Sequence, residues 1–248
     1  RHAMIEKKSW EEDQRILDKE VYPAWGKRKA ADIIKRDVIT LLDKVVDRGS
    51  PQTANNIFKI LRRLFSWAVE KDRLKISPCI GIKAPAPLNL KDRAFSVDEI
   101  KTFWKTLNSV DLSMTNEVKR ALKLILVTAQ RPGEVSGMHT REIDGNWWTI
   151  PAERSKNWKA HRVYLSPLAK DIITDAIDEV KATRKIPAET KYDGFVFPCP
   201  HRAKDKPIER HAFSKALKRN ESEDGLTTMG VATFTPHDLR RTAATFMA

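Results

Sequence analysis

The stretch TPHDLRRT, residues 235–242, sets a histidine and an arginine where an anion would be held. Thr235 suits a helix cap and Pro236 the first helical position, so a helix starts here, and His237 and Arg240, three residues apart, share one of its faces. The free N–H groups and the dipole at a helix N-terminus attract negative charge, so the pair suits a phosphate. Asp238 and Arg241 beside them also fit plain surface charge. A second arginine, Arg131 in TAQRPGEV, follows an apolar run that ends at Val127, and the chain turns at Pro132 and Gly133. It is held by rigid structure yet free to point into a cleft, although an arginine at a helix end also fits simple dipole complementation. A third basic segment, ERSKNWKAHR, offers Lys156 and Lys159 in one polar turn, where solvated lysines are common.

The whole composition agrees with a polyanionic partner. The chain has 248 residues, 46 Lys and Arg against 33 Asp and Glu, and a formal net charge of +13 spread along its length. Nucleic acid is the leading partner, because no basic amphipathic anchor, lipidation signal or run of about twenty apolar residues points to a membrane. Cys79 and Cys199 stand alone, far apart and outside C-x-x-C spacing, which excludes a disulfide framework and gives no zinc or other metal site; a reducing interior is expected. The opening RHAM lacks the apolar run of a signal peptide.

Helical patterns dominate the elements that must position these groups. SWEEDQRILDKEVYPAWG begins with a capping box, Ser9 with Glu12, and breaks at Pro23 and Gly26. KRDVITLLDKVVDRG has its apolar residues at helical spacing and closes on Gly49. The longest helix follows, with Ser50 as cap, Pro51 first, and Ile57, Ile60, Leu61, Leu64, Phe65 and Ala68 as one stripe. Its other face carries Asn55, Asn56, Lys59, Arg62 and Arg63, and Asn56, Lys59 and Arg63 could read bases in a major groove. Proline-rich SPCIGIKAPAPLNLKDR then marks a linker, placed at residues 84–93 between a unit of residues 1–83 and one of residues 94–248. The second unit restarts with a capping box, Ser96 with Glu99, continues in the buried helix of TNEVKRALKLILVTA, and makes a β-hairpin from NWWTIP and HRVYLS. SPLAKDIITDAIDEVKATRK returns to helix, GFVFP reads as a short strand, and RHAFSKALKRN as a further helix.

These segments together resemble the tyrosine recombinase family, specifically the integrases of prophages and genomic islands. TAQRPGE follows the family's first box, T-G-x-R-x-G-E, with Ala129 in place of the usual glycine; HDLRRTAAT follows the second, H-x-L-R-R-T-x-A-T. The resemblance implies a mainly α, two-domain DNA clamp, with a helical core-binding domain and a helical catalytic domain carrying a small β-hairpin. It implies that Arg131 and Arg240 clamp the scissile phosphate, that Lys156, or Lys159 in the same turn, is the general acid, and that His237 assists proton transfer. Glu134 is expected to orient a neighbour, since a carboxylate facing the phosphate would oppose the reaction. The reaction implied is DNA cutting and rejoining through a 3′-phosphotyrosyl link, in a bacterial cytoplasm on the nucleoid, with no metal or cofactor. Double-stranded attachment-site DNA and further integrase protomers are the implied partners.

The family's attacking tyrosine falls beyond Ala248, and Tyr22, Tyr164 and Tyr192 match no nucleophile position. The expectation is a fragment that also lacks the family's N-terminal arm-binding domain, is monomeric in isolation, binds DNA and does not cleave it. Two other readings stand beside it: a type IB topoisomerase, and a non-catalytic DNA-binding or architectural protein of the same fold.

Overall fold

Three amphipathic stretches build the first unit. In the computed structural model, which describes residues 9–87, 92–108, 112–200, 205–222 and 225–247, the chain divides into Arg1–Leu90 and Lys91–Ala248. Helix α1 (Trp10–Ile16) runs through one wider turn, Leu17–Val21, into α2 (Tyr22–Trp25). Pro23 therefore does not break the helix; it falls in the first turn of α2, where a missing N–H is tolerated, and the chain turns at Gly26. The expected capping box also fails to form. Ser9 makes no side-chain cap, and Glu12 instead takes both a 2.8 Å and a 2.7 Å hydrogen bond from Arg15.

Helix α3 (Lys35–Asp47) ends before Gly49, whose φ of +81° is the left-handed conformation a glycine adopts without strain, and α4 (Pro51–Glu70) packs against it. The core of this unit gathers Val38, Leu42, Val45, Ile57, Leu61 and Phe65. Phe58 rather than Leu64 completes the buried face of α4, and Leu64 is exposed. Asn55 also departs from the polar face expected of it. It is buried, donates to the carbonyl of Ala86 at 3.0 Å and accepts from the Ala86 N–H at 3.2 Å, strapping the proline-rich segment to α4. Residues 88–91 of the expected linker lie outside the described residues.

The second unit is organised around one helix. Ser96 and Glu99 form the expected reciprocal cap, at 3.2 and 2.9 Å, and start α5 (Val97–Leu107). Helix α6 (Asn116–Thr128) is buried over most of its surface although it carries Lys119, Arg120 and Lys123, with Leu122, Leu124 and Ile125 fully buried, and every later α-helix of the unit touches it. These are α7 (Pro132–Ser136), α8 (Pro167–Arg184), α9 (Arg210–Arg219) and α10 (Pro236–Met247). Phe95, Phe103 and Phe234 meet edge to face at 4.9 to 5.7 Å beneath α5.

The expected hairpin is β2 (Trp147–Ile150) and β3 (His161–Tyr164), and a short first strand, β1 (Ile143–Asp144), extends it to an antiparallel sheet in the order β1, β2, β3. Trp148 pairs with Ile143 on one side and Val163 on the other, and the two-residue alternation of β2 buries Trp148 and Ile150 completely. GFVFP does not make a strand. It contributes single bridges, Phe195 with His139 and Pro198 with Pro207, because prolines at its end cannot donate to a ladder.

Candidate active site

At the end of α6 the chain reverses through Ala129, which takes the left-handed conformation at φ 54° and ψ 23°. Glycine adopts this without penalty; a Cβ makes it cost about 1–2 kcal/mol. Arg131 follows with an extended backbone and caps the five-residue α7. Glu134, three residues on, is only 2% exposed. Its carboxylate accepts the Arg131 backbone N–H at 2.9 Å and the Arg131 guanidinium at 2.8 Å.

The same carboxylate reaches α10. Arg240 Nη1 lies 3.9 Å from Glu134 Oε2, so residues 109 positions apart in the chain share one buried anion. That Nη1 is buried and has no hydrogen-bond partner among the described residues. Burial first, and then the positive charge of Arg131, lower the pKa of Arg240, with Glu134 acting in the opposite sense. His237, one turn earlier on α10, is held below its ordinary 6.5 by burial and then by Arg240, against the opposing charge of Asp238, with smaller lowering contributions from Arg241 and Arg131. It is therefore neutral near pH 7. Two guanidiniums and a neutral imidazole around one site give planar paired donors for an oxyanion and one group that can take or give a proton.

Helix α10 is fixed from below. Asp238 is buried and accepts from the Thr235 N–H and hydroxyl, each at 2.8 Å, and from Arg241. Thr235 thus donates to Asp238 instead of capping through its own oxygen. Thr242 accepts the Phe95 N–H at 2.9 Å, and Arg241 donates to the Arg93 carbonyl at 3.2 Å. Asp238 and Arg241, which also fit surface charge in the sequence, instead anchor the helix.

The phage integrase family model matches residues 93–248, and the phage integrase central domain model matches residues 1–84. The chain belongs to the phage integrase family. It is 30% identical over 209 residues to the prophage integrase IntZ of Escherichia coli K12, covering 82% of this chain and 48% of that protein. The integrase of Shigella phage Sf6 is 24% identical over 210 residues, 83% of this chain and 51% of that protein. This integrase-family chain therefore spans about half the length of these curated relatives. In fold it is similar to a lambda integrase (75–356) dimer bound to a COC′ core site, with a TM-score of 0.69 at 17% identity over 96% of this chain and 79% of that one. The Tn1549 transposon integrase (aa 82–397) in complex with circular intermediate DNA gives 0.66 at 16%, over 96% and 78%.

In this integrase-family chain the structure brings Arg131, His237 and Arg240 together, and Lys156 and Lys159 stand exposed in the turn between β2 and β3. Neither lysine makes a hydrogen bond or ion pair to the other three among the described residues. The link between turn and cluster is Arg154, a residue with no prominence in the sequence, which donates to the Glu134 carbonyl at 3.2 Å and to Glu142 at 2.6 Å. Its only sequence signal is its place two residues before Lys156. In the first unit, Asn56, Lys59 and Arg63 are exposed along α4, and Lys59 and Arg63 line a shallow groove with Arg62, Ser66 and Trp67. Among the described residues no group of three His, Cys, Asp or Glu side chains could hold a metal ion, and no helix is long and apolar enough to cross a membrane.

Proposed function

We propose that residues 1–248 supply the DNA-binding and phosphate-activating parts of a site-specific DNA recombinase of the integrase type, acting in the bacterial cytoplasm on nucleoid DNA to integrate or excise a prophage or genomic island. The observation that carries this reading is the convergence of Arg131 and Arg240 on the buried Glu134 carboxylate, with Arg240 Nη1 left unpartnered beside it.

The chemistry follows from that arrangement. Arg131 and Arg240 each donate to non-bridging oxygens of the scissile phosphate, and their contacts strengthen as negative charge gathers there during attack. Glu134 bonds the Arg131 guanidinium and stands 3.9 Å from Arg240 Nη1, so its charge draws the two arginines to one place before DNA arrives. A tyrosine oxygen attacks phosphorus, the bond from phosphorus to the 5′-oxygen breaks, and a lysine of the β2–β3 turn gives that oxygen its proton. Neutral His237 is suited to hydrogen-bond the phosphate and to assist removal of the tyrosine proton. The 3′-phosphotyrosyl link keeps the phosphodiester energy, and a 5′-hydroxyl from another strand reverses the steps to rejoin, without ATP.

The tyrosine is not one of the three in this stretch. Tyr164 packs its ring on Trp147 at 5.4 Å, Tyr192 is buried with its hydroxyl on the Phe195 carbonyl at 3.0 Å, and Tyr22 is exposed on α2. We assign the nucleophile to polypeptide outside residues 1–248. The basic face of α4, with Asn56, Lys59 and Arg63, is assigned to DNA contact, and pairs of protomers to paired half-sites of an attachment site. Core-binding and catalytic roles are assigned to residues 1–83 and 94–248, joined by residues 84–93.

The test uses the natural polypeptide in full with nicked attachment-site DNA, which traps the covalent intermediate. A protein–DNA adduct that disappears with Arg131→Ala or Arg240→Ala supports the recombinase. Tight binding without any adduct supports an architectural protein, and relaxation of supercoiled DNA without exchange between two sites supports a topoisomerase.

A further inference from the structure

Glu134 serves two neighbourhoods through two different groups. Its carboxylate holds Arg131 and approaches Arg240; its backbone carbonyl accepts Arg154 Nη1 at 3.2 Å. A five-residue helix leaves its last carbonyls without partners inside the helix, so an outside donor is needed there. Arg154 supplies it from the turn that carries the lysines.

The guanidinium is built in from several sides. Nη2 donates to Glu142 Oε2 at 2.6 Å, and that oxygen also accepts the Trp148 indole N–H at 2.9 Å. A Cβ on Gly137, just past α7, would stand 2.3 Å from Arg154 Nη1, so a side chain there would push the guanidinium out of its present place. The Arg154 backbone is pinned as well, with its N–H on the Pro151 carbonyl at 3.1 Å and the next residue, Ser155, 3% exposed. Lys156 is the first residue after this anchored pair. Lys159 comes three residues later, beyond Trp158, which has a positive φ of 56°.

Resting on the recombinase reading above, we infer that Arg154 is the positioning residue that sets the lysine turn against the phosphate-binding arginines, and that Lys156 is the lysine it presents. Arg154 touches neither DNA nor the reacting atoms. It fixes the place from which the Lys156 ammonium gives its proton to the 5′-oxygen as the P–O5′ bond breaks and the bond from phosphorus to tyrosine oxygen forms. Without it the turn keeps its lysine and loses its address.

The experiment separates proton donation from everything else. The natural polypeptide in full is given two attachment-site duplexes, one ordinary and one with sulfur bridging at the scissile 5′ position. A 5′-thiolate leaves without protonation, so this substrate has no need of a general acid. Arg154→Met is expected to cleave the ordinary duplex about a hundredfold slower, the lower range for a lost general acid, and the sulfur-bridged duplex within about threefold of wild type. Lys156→Ala should show the same selectivity, and Arg131→Ala should lose both. Arg154→Lys, which keeps the charge but not the fork, should recover only part of the loss on the ordinary duplex. If Arg154→Met does not fold, Glu142→Gln loosens the same guanidinium and is read on the same pair, with a smaller selective loss expected. Equal losses on both duplexes, or no loss on either, overturn the inference, as does selectivity that belongs to Lys159→Ala in place of Lys156→Ala. A wild-type protein that cleaves neither duplex overturns the recombinase reading with it.

Discussion

Glu134→Gln should make the protein less stable and bind anions more tightly at the same time. The wild-type carboxylate takes two donors from Arg131, at 2.9 and 2.8 Å, and sits 3.9 Å from Arg240 Nη1. The amide keeps the size but has one acceptor oxygen, so one Arg131 donor is left facing an NH2 group. Removing one partner of a buried ion pair costs about 3–5 kcal/mol. The two guanidiniums are about a third exposed, at 32% and 33%, so water recovers part of this and about 2 kcal/mol is the fitting figure. For a unit of this size that lowers the melting temperature by about 4–8 °C. The site meanwhile loses the negative charge that faces both arginines, so sulfate or short duplex DNA should bind a few times more tightly, while cleavage by the natural polypeptide falls because Arg131 is no longer held. Thermal melting and calorimetric titration with sulfate read the two effects side by side. A variant that melts with the wild type, or that loses anion affinity while folded, refutes the view that Glu134 draws the two arginines to one place.

Three further outcomes are expected. Because the folded-state pKa of His237 is lowered from 6.5, the unfolded chain binds its proton first; stability is complete above pH 6.5 and declines as pH falls below it, and His237→Gln should flatten that decline in urea titrations from pH 7 to 5. Ala129→Gly relieves a left-handed alanine at about 1–2 kcal/mol but adds about 0.5–1 kcal/mol of backbone entropy, so a net gain of about 0.5 kcal/mol should appear as a higher urea midpoint. Affinity for duplex DNA should fall about a thousandfold between 50 and 200 mM salt for six or more phosphate contacts, and Arg63→Ala should weaken the cognate site more than random DNA; equal weakening would make Arg63 a phosphate contact.

The residues themselves explain what could be read in advance. Helical spacing and the Ser96 and Glu99 cap are local signals, so α3 to α6 and α8 were legible, and the two arginine motifs pointed to a phosphate site. Signals that depend on competition were not. Ser9 lost its cap to an arginine that bound Glu12, Leu64 gave way to Phe58 once α3 chose which side of α4 to cover, and Asn55 turned inward to hold Ala86. Arg154 was hidden for a related reason: its partners are a backbone carbonyl 20 positions back and a carboxylate 12 positions back, and no periodicity relates them.

The shortness of α7 has a dynamic consequence. Five residues cannot sustain a helix alone, since nucleation is unfavourable and there are few internal bonds to offset it. Its order is borrowed from Arg131 and Arg154, which both bond to Glu134, and the same carboxylate stands 3.9 Å from Arg240 Nη1. One local opening of this turn would loosen Arg131 and Arg154 together, and with Arg154 the turn between β2 and β3. In hydrogen exchange, the Glu134 and Val135 amides, which bond to the Arg131 carbonyl at 2.9 and 3.0 Å, should open as one unit and slow together when an anion is bound.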